Sequence, residues 1–161
     1  MRVLYILTSV PGSGKSTRSL NFKATHLNTY IISSDEIRKE LGGSYQYFEE
    51  EDRVRKIFFA RANKIAREHR DCSVILDSTC MNDYYRELYL SKCSSFDKKV
   101  LVYFNVPFNI CRKRNKSRMV EKQVPDAAFN DIIKKFKAPS EETKKLFDEV
   151  IEINNWRVDK W

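Results

Sequence analysis

Short apolar runs alternate along the chain with segments whose apolar residues recur every three or four positions. Runs of this length, bounded by glycine or polar residues, are typical of buried strands in a parallel sheet. They predict strands at Val3–Thr8, Tyr30–Ile32, Ser73–Leu76, Lys99–Asn105 and Glu149–Ile153. The segments between them predict helices at Ser16–Asn21, Asp35–Leu41, Glu49–Arg70, Asn82–Ser94 and Phe108–Arg118.

Two further helical patterns follow Pro125 and Pro139, at positions where proline suits the first turn of a helix. The alternation of strands and helices predicts an α/β domain of three layers with a mostly parallel sheet of about five strands. In such sheets ligands bind beyond the carboxyl ends of the strands. We therefore look for chemistry directly after each predicted strand.

The length of 161 residues predicts one domain spanning residues 1–161. No apolar run is long enough to cross a membrane, and we expect a soluble protein. The four cysteines, at 72, 80, 93 and 111, form no CxxC pair, which favours reduced thiols in the cytoplasm, or in the host cytoplasm if the source is a bacteriophage. The sequence gives no indication of the oligomeric state.

The net charge of +8 is concentrated in one segment. Residues 112–137 hold nine Lys or Arg against three acidic residues. One interpretation is a solvated basic helix, and the other is a basic surface that faces a polyphosphate or a nucleic acid. Charge alone does not decide between them.

The stretch SVPGSGKST, residues 9–17, follows the first predicted strand and precedes a helix. A phosphate-binding loop of this kind needs small residues whose backbone N–H groups surround phosphate oxygens, a lysine for the outer phosphates and a hydroxyl for magnesium. The strict pattern begins with glycine, whereas this stretch begins with Ser9. The loop nevertheless predicts a binding site for the phosphates of a nucleotide such as ATP, and its residues are Gly12, Ser13, Gly14, Lys15, Ser16 and Thr17.

Two classes of nucleotide-binding proteins do not fit the rest of the chain. A GTPase requires a DxxG switch and an NKxD motif, and neither occurs. A motor ATPase places an Asp-Glu pair after an apolar strand, whereas here Asp77 is followed by Ser78. Transfer of the phosphoryl group to an acceptor other than water remains.

Candidate residues for that transfer follow the second and third strands. Asp35 is placed to accept the proton of an attacking hydroxyl, with Arg38 three residues later on the same helix face. The alternative is that Asp35 caps its helix and pairs locally with Arg38. Asp77 is placed to hold magnesium through water or to fix the substrate-binding pair Asp35 and Arg38, and its alternative role is also a helix cap.

In the basic segment, Arg114 and Arg118 are four residues apart and share a helix face. They are placed to close over the nucleotide phosphates. The alternative is that both are solvated.

Four stretches together, PGSGKST, SSDEIR, VILDST and FNVPFNICRKRNKSR with the later VP at 124–125, resemble the P-loop 5′-polynucleotide kinases of bacteriophages and bacteria. The resemblance spans nearly the whole chain. It implies a kinase that uses ATP and Mg²⁺ to phosphorylate the 5′-hydroxyl ends of DNA or RNA. It also implies that Asp35 activates the hydroxyl, Arg38 holds the neighbouring nucleic-acid phosphate and Arg118, in a lid of roughly 112–137, reaches the ATP phosphates.

By the same resemblance, Lys15 and Ser16 bind ATP and magnesium, and Asp77 is the third-strand aspartate. One position departs from the family, which often has DxTN where this chain has Asp77-Ser78-Thr79-Cys80. A related kinase of small molecules or charged tRNA, and a binding module without turnover, remain alternatives. Tyr45, Tyr47 and Phe48 lie in a predicted exposed loop, either as packing residues or as a stacking surface for a terminal base.

The acidic run Glu49, Glu50, Glu51 and Asp52 opens the long predicted helix. We interpret it as charge that complements the helix N-terminus.

Overall fold

Five parallel strands form a single sheet in this computed structural model, which describes residues 1–154 and 161. Their order across the sheet is β2-β3-β1-β4-β5. Their bounds are β1 Arg2–Thr8, β2 Thr29–Ser33, β3 Cys72–Asp77, β4 Lys98–Asn105 and β5 Glu149–Asn154. The α/β prediction is confirmed, and the sheet is parallel throughout.

Helices connect the strands and continue beyond β4. They are α1 Lys15–Thr25, α2 Ser34–Gly42, α3 Glu51–Glu68, α4 Asp83–Lys92, α5 Phe108–Lys116, α6 Asp126–Lys135 and the single turn α7 Glu141–Lys144. A 3₁₀ turn, Val120–Lys122, lies between α5 and α6. The predicted helices are confirmed with shifted ends. Because α5 ends at Lys116, the prediction that Arg118 shares a helix face with Arg114 is wrong. In the described part of the chain no helix is both long enough and apolar enough to cross a bilayer.

The sheet has a hydrophobic core on each face. Along β1, Leu4 and Ile6 join the core that contains Phe58 of α3, whereas Leu7 belongs to the opposite core with Phe129 of α6. Successive side chains of a strand point to opposite faces, so a continuous apolar run fills both layers. All four cysteines are buried free thiols within these cores.

The connections diverge from β1, which is the central strand. The chain leaves β1 for the β2-β3 side and later returns to the β4-β5 side. A reversal of this kind leaves a crevice at the carboxyl ends of the strands flanking it. The carboxyl ends of β1 and β3 therefore form the floor of the site.

A fully buried arginine, Arg86 of α4, ties this floor to the segment after α6. Its Nε and Nη2 atoms donate to Thr8 Oγ1 at the end of β1, at 3.1 and 3.0 Å. Nη1 pairs with Asp83 at 2.9 Å, and Nη2 also donates to the carbonyl of Lys137. A guanidinium that is buried without water needs all of these partners, so Arg86 fixes three chain segments together.

Replacing Arg86 with leucine should lower the free energy of unfolding by about 3 kcal/mol, because buried acceptors lose their donor. Urea denaturation measures this difference. The matched control is Arg61→Gln, which removes an exposed ion pair with Glu40 and should cost less than about 1 kcal/mol. Equal stability losses in the two variants would contradict the role of Arg86 as a tether.

Candidate active site

The loop between β1 and α1 requires glycine at two positions. Gly12 has φ +83° and Gly14 has φ +98°, a left-handed conformation that glycine adopts without strain. A Cβ atom on Gly12 would lie only 2.1 Å from the carbonyl oxygen of Cys111 in α5. The loop therefore packs directly against the helix that leads into the predicted lid.

Lys15 is the first residue of α1 and is nearly buried. Its Nζ atom donates to the carbonyl oxygens of Ser9 and Val10 at 3.1 and 3.0 Å. Burial lowers the pKa of the Lys15 ammonium, and the carboxylates of Asp77 and Asp35 partly offset that lowering. A phosphate bound in this loop would place a full negative charge beside the desolvated Lys15 ammonium.

Ser13 supplies a second sign of an anion site in this loop. Its Oγ atom is buried and has no hydrogen-bond partner among the described residues. Buried hydroxyls are normally paired, so the unpaired Ser13 Oγ is an unsatisfied hydrogen-bond donor within the loop. This donor adds to the N-terminus of α1, where backbone N–H groups favour negative charge.

Ser16 and Asp77 meet across the site. The Oγ atom of Ser16 donates to Asp77 Oδ2 at 2.8 Å. Burial raises the pKa of Asp77, although the charge of Lys15 and the hydrogen bond from Ser16 oppose that rise. A hydroxyl beside a carboxylate provides the hard oxygen ligands that Mg²⁺ prefers, so these two residues fit the predicted metal.

The helix-cap alternative for Asp77 is wrong. Asp77 is the last residue of β3, and the side chain that caps α4 is Asn82, which accepts from Tyr85 N at 3.1 Å. Likewise, the cap of α2 is Ser33, which accepts from Glu36 N, and not Asp35. The local Asp35–Arg38 ion pair does form, at 2.7 Å.

Arg38 is held by a residue that the sequence did not identify. Glu51, the first residue of α3, accepts from Arg38 Nε at 3.0 Å and from Arg38 Nη2 at 2.8 Å. The acidic run was interpreted as charge at a helix N-terminus, and no local signal distinguishes Glu51 from its neighbours. The pair joins α2 to α3 and fixes the guanidinium beside Asp35.

The predicted lid, residues 112–137, consists of the C-terminal part of α5, a loop that contains the turn Val120–Lys122, and α6. The side chain of buried Asn115 donates to the carbonyl of Val124 at 2.8 Å and accepts from Val124 N at 3.0 Å, which shapes this loop. Arg114 donates to the carbonyl of Ser13 at 3.4 Å. The charge of Arg118 adds slightly to the lowering of the Lys15 pKa by burial and opposes the rise of the Asp77 pKa, so Arg118 lies close enough to act on both residues.

The lid contacts the opposite wall of the cleft. Lys39 of α2 pairs with Glu121 at 3.2 Å. Lys39 and Lys122 both lie over the ring of Tyr45, at 4.4 and 5.2 Å from its centroid. The loop after α2 is therefore only partly exposed: Phe48 is exposed as predicted, but Tyr45 is buried because two ammonium groups and the lid cover it.

One cavity of about 660 Å³ brings the predicted residues together. Ten of the predicted site residues line this cavity, namely Gly12, Gly14, Lys15, Ser16, Thr17, Asp35, Arg38, Asp77, Arg114 and Arg118. Ser13 lies in the loop beneath and is not among the lining residues. The cavity also has an aromatic and apolar wall, and its residues are Tyr45, Phe48, Val54, Phe58, Tyr85 and Tyr89. The Arg38 guanidinium lies over the ring of Phe48 in this wall, 5.2 Å from its centroid.

Cys80, at the position that departs from the family pattern, has a positive φ of 45° and is buried. Asparagine adopts this left-handed conformation more readily than other non-glycine residues. Burial raises the pKa of the Cys80 thiol to about 12, so it remains a neutral thiol. The backbone at Cys80 thus has a conformation that asparagine adopts readily, although the side chain there is a thiol.

A protein-family model described as an AAA domain, AAA_33, matches residues 4–139. Several solved structures share the fold. Kti12 from Chaetomium thermophilum, crystallised with ADP-AlF3, aligns over 98% of this chain and 91% of its own with 17% identity and a TM-score of 0.71. A gluconokinase from Sinorhizobium meliloti 1021 aligns over 95% of this chain and 82% of its own, with 16% identity and a TM-score of 0.61.

A chain of the Pnkp1/Rnl/Hen1 RNA repair complex is also similar, with 23% identity and a TM-score of 0.70 over 91% of this chain and 46% of that chain. A comparison with curated protein sequences found no significant match to this chain. At these identities the structural neighbours establish the fold alone.

Replacing Gly12 with alanine should abolish measurable ATP binding, because the added Cβ atom cannot fit against α5 without moving the loop. Isothermal titration with ATP measures this loss. The matched control is Gly43→Ala, which has φ +79° but open space around the position of its Cβ. It should keep its ATP affinity and lose about 1 kcal/mol of stability. Unchanged ATP affinity in the Gly12 variant would contradict the assigned loop geometry.

Proposed function

The chain belongs to the AAA_33 family of AAA domains and has a P-loop kinase fold, and on this basis we propose that it transfers the γ-phosphate of ATP to the 5′-hydroxyl end of DNA or RNA. The observation that carries the proposal is that Asp35 and Arg38 line the same cavity as the phosphate-binding loop. One half of the cavity holds groups suited to a donor nucleotide. The other half holds a carboxylate and a guanidinium suited to a nucleic-acid end.

On the donor side, the backbone N–H groups of the loop and Lys15 bind the outer phosphates of ATP. Ser16 and Asp77 would hold Mg²⁺, which neutralises charge on the phosphate oxygens when bound. Arg118, with Arg114 beside the loop, stabilises the charge that spreads over the transferred group. These side chains surround the phosphates from α1, β3 and the lid.

On the acceptor side, Asp35 orients the 5′-hydroxyl and accepts its proton as the new bond to phosphorus forms. Its side chain is half exposed and open to the cavity, so it is accessible to an incoming hydroxyl. Arg38 binds the phosphate on the 3′ side of the same nucleoside. Glu51 and Asp35 hold the Arg38 guanidinium in place from two sides, which limits the positions that this phosphate can take.

The similarity to a chain of an RNA repair complex supports a nucleic-acid acceptor, and so does the net charge of +8. The fold is shared with a gluconokinase, and a small-molecule or charged-tRNA acceptor is therefore the second candidate. The aromatic wall of the acceptor half favours a nucleoside, because a small sugar acid presents hydroxyl groups that need polar partners. A binding module without turnover has no need of the Asp35–Arg38 pair.

Incubation with γ-labelled ATP and a panel of acceptors tests the proposal. The panel contains 5′-hydroxyl DNA, 5′-hydroxyl RNA, nucleoside 3′-monophosphates and gluconate. The control is 5′-phosphorylated DNA, which has no free 5′-hydroxyl. The label should appear on 5′-hydroxyl ends and on the 3′-mononucleotides, and it should be absent from the control. Transfer to gluconate alone, or to none of these acceptors, would contradict the proposal.

The same assay separates the two candidates through Arg38. Arg38→Gln should lower transfer to a nucleoside 3′-monophosphate by at least about a hundredfold, since a charged hydrogen-bond partner of the phosphate is lost. An Arg38 variant that keeps full activity on the mononucleotide would favour an acceptor without a phosphate.

A further inference from the structure

The acceptor half of the cavity has more negative than positive charge around Arg38. Both Asp35 and Glu51 form ion pairs with this single guanidinium. Its Nε and Nη2 atoms are used by Glu51, and Nη1 is used by Asp35. The single positive charge of Arg38 is already balanced by these two carboxylates. A polyanionic strand that binds here therefore needs another cation.

Arg55 is the second guanidinium on this side. It lies four residues after Glu51 on α3, so the two share a helix face one turn apart. Its side chain lines the cavity near the aromatic wall and is about one-third exposed. It is thus in contact with both the cavity and solvent.

The present partner of Arg55 is weakly held. Arg55 Nη2 pairs with Asp52, whose side chain is 100% exposed. An ion pair open to solvent contributes little to stability, so a phosphate would displace Asp52 at low cost. This contrasts with Arg38, whose side chain is only 16% exposed and is fixed by two carboxylates.

We propose that Arg55 is a second phosphate-binding residue of the acceptor site and binds the phosphate that follows the second nucleoside of the strand. This inference rests on the proposed function. Arg38 donates a hydrogen bond to Asp35 and therefore binds the phosphate of the nucleoside whose hydroxyl reacts. Arg55 lies one helical turn after Glu51 on α3 and binds the next phosphate along the strand.

The consequence is a preference for acceptor length. A 3′-phosphorylated dinucleotide should bind better than a nucleoside 3′-monophosphate, because only the dinucleotide has a phosphate for Arg55. A hydrogen-bonded charge pair of this kind is worth about tenfold in affinity. The preference should disappear when the guanidinium is removed.

Steady-state kinetics with these two acceptors tests the inference in the wild type and in Arg55→Gln, Arg55→Lys and Arg53→Gln. Arg53 provides the matched control, because it lies on the same helix, pairs with Glu50 and does not line the cavity. Arg55→Gln should raise KM for the dinucleotide about tenfold, with a much smaller rise for the mononucleotide. Arg55→Lys should retain part of the preference, and Arg53→Gln should behave like the wild type.

The salt dependence gives a second readout that a purely structural role would not change. Removal of one phosphate contact should reduce the slope of log KM against log salt for the dinucleotide by about 0.7. Equal KM increases for both acceptors, or equal effects of the Arg55 and Arg53 variants, would overturn the inference alone. A wild type that phosphorylates neither acceptor would overturn the proposed function and this inference with it.

Discussion

The site depends on two opposite charges that are buried together at the carboxyl ends of β1 and β3. Lys15 and Asp77 are both almost inaccessible to solvent. Burial lowers the pKa of Lys15 and raises the pKa of Asp77, so it favours the neutral form of each side chain. Each charge partly offsets the desolvation of the other, while Ser16 links the loop to Asp77. The sheet order places β1 beside β3, so this arrangement follows directly from the topology.

The rest of the site supports this pair. Gly12 lets the loop pack against α5, which continues into the lid. Arg86 holds the end of β1, the start of α4 and the exit of the lid in one hydrogen-bonded group. On the opposite wall, Glu51 fixes Arg38, and the Lys39–Glu121 pair joins that wall to the lid. The acceptor half is thus built from contacts between elements that are distant in sequence.

The sequence predicted those parts of the molecule that local patterns encode. Apolar runs located all five strands, and the glycine loop, Asp35 and Asp77 followed from motifs at strand ends. Contacts between elements were not predictable, because any of the four acidic residues at 49–52 fits a helix N-terminus equally well. Only the packing of α3 on α2 selects Glu51. The same reason applies to Arg86, which reads as an ordinary helical arginine, and to Tyr45, which the lid buries.

The central claim is that Asp35 faces the phosphate-binding loop across the transferred group, and the variant Asp35→Asn tests it most directly. Titration calorimetry should find ATP affinity within about twofold of the wild type, because Asp35 binds no part of ATP in this account. Transfer of γ-phosphate to a 5′-hydroxyl oligonucleotide should fall by about a hundredfold or more, as expected on loss of a general base. An undiminished rate of transfer would contradict the account.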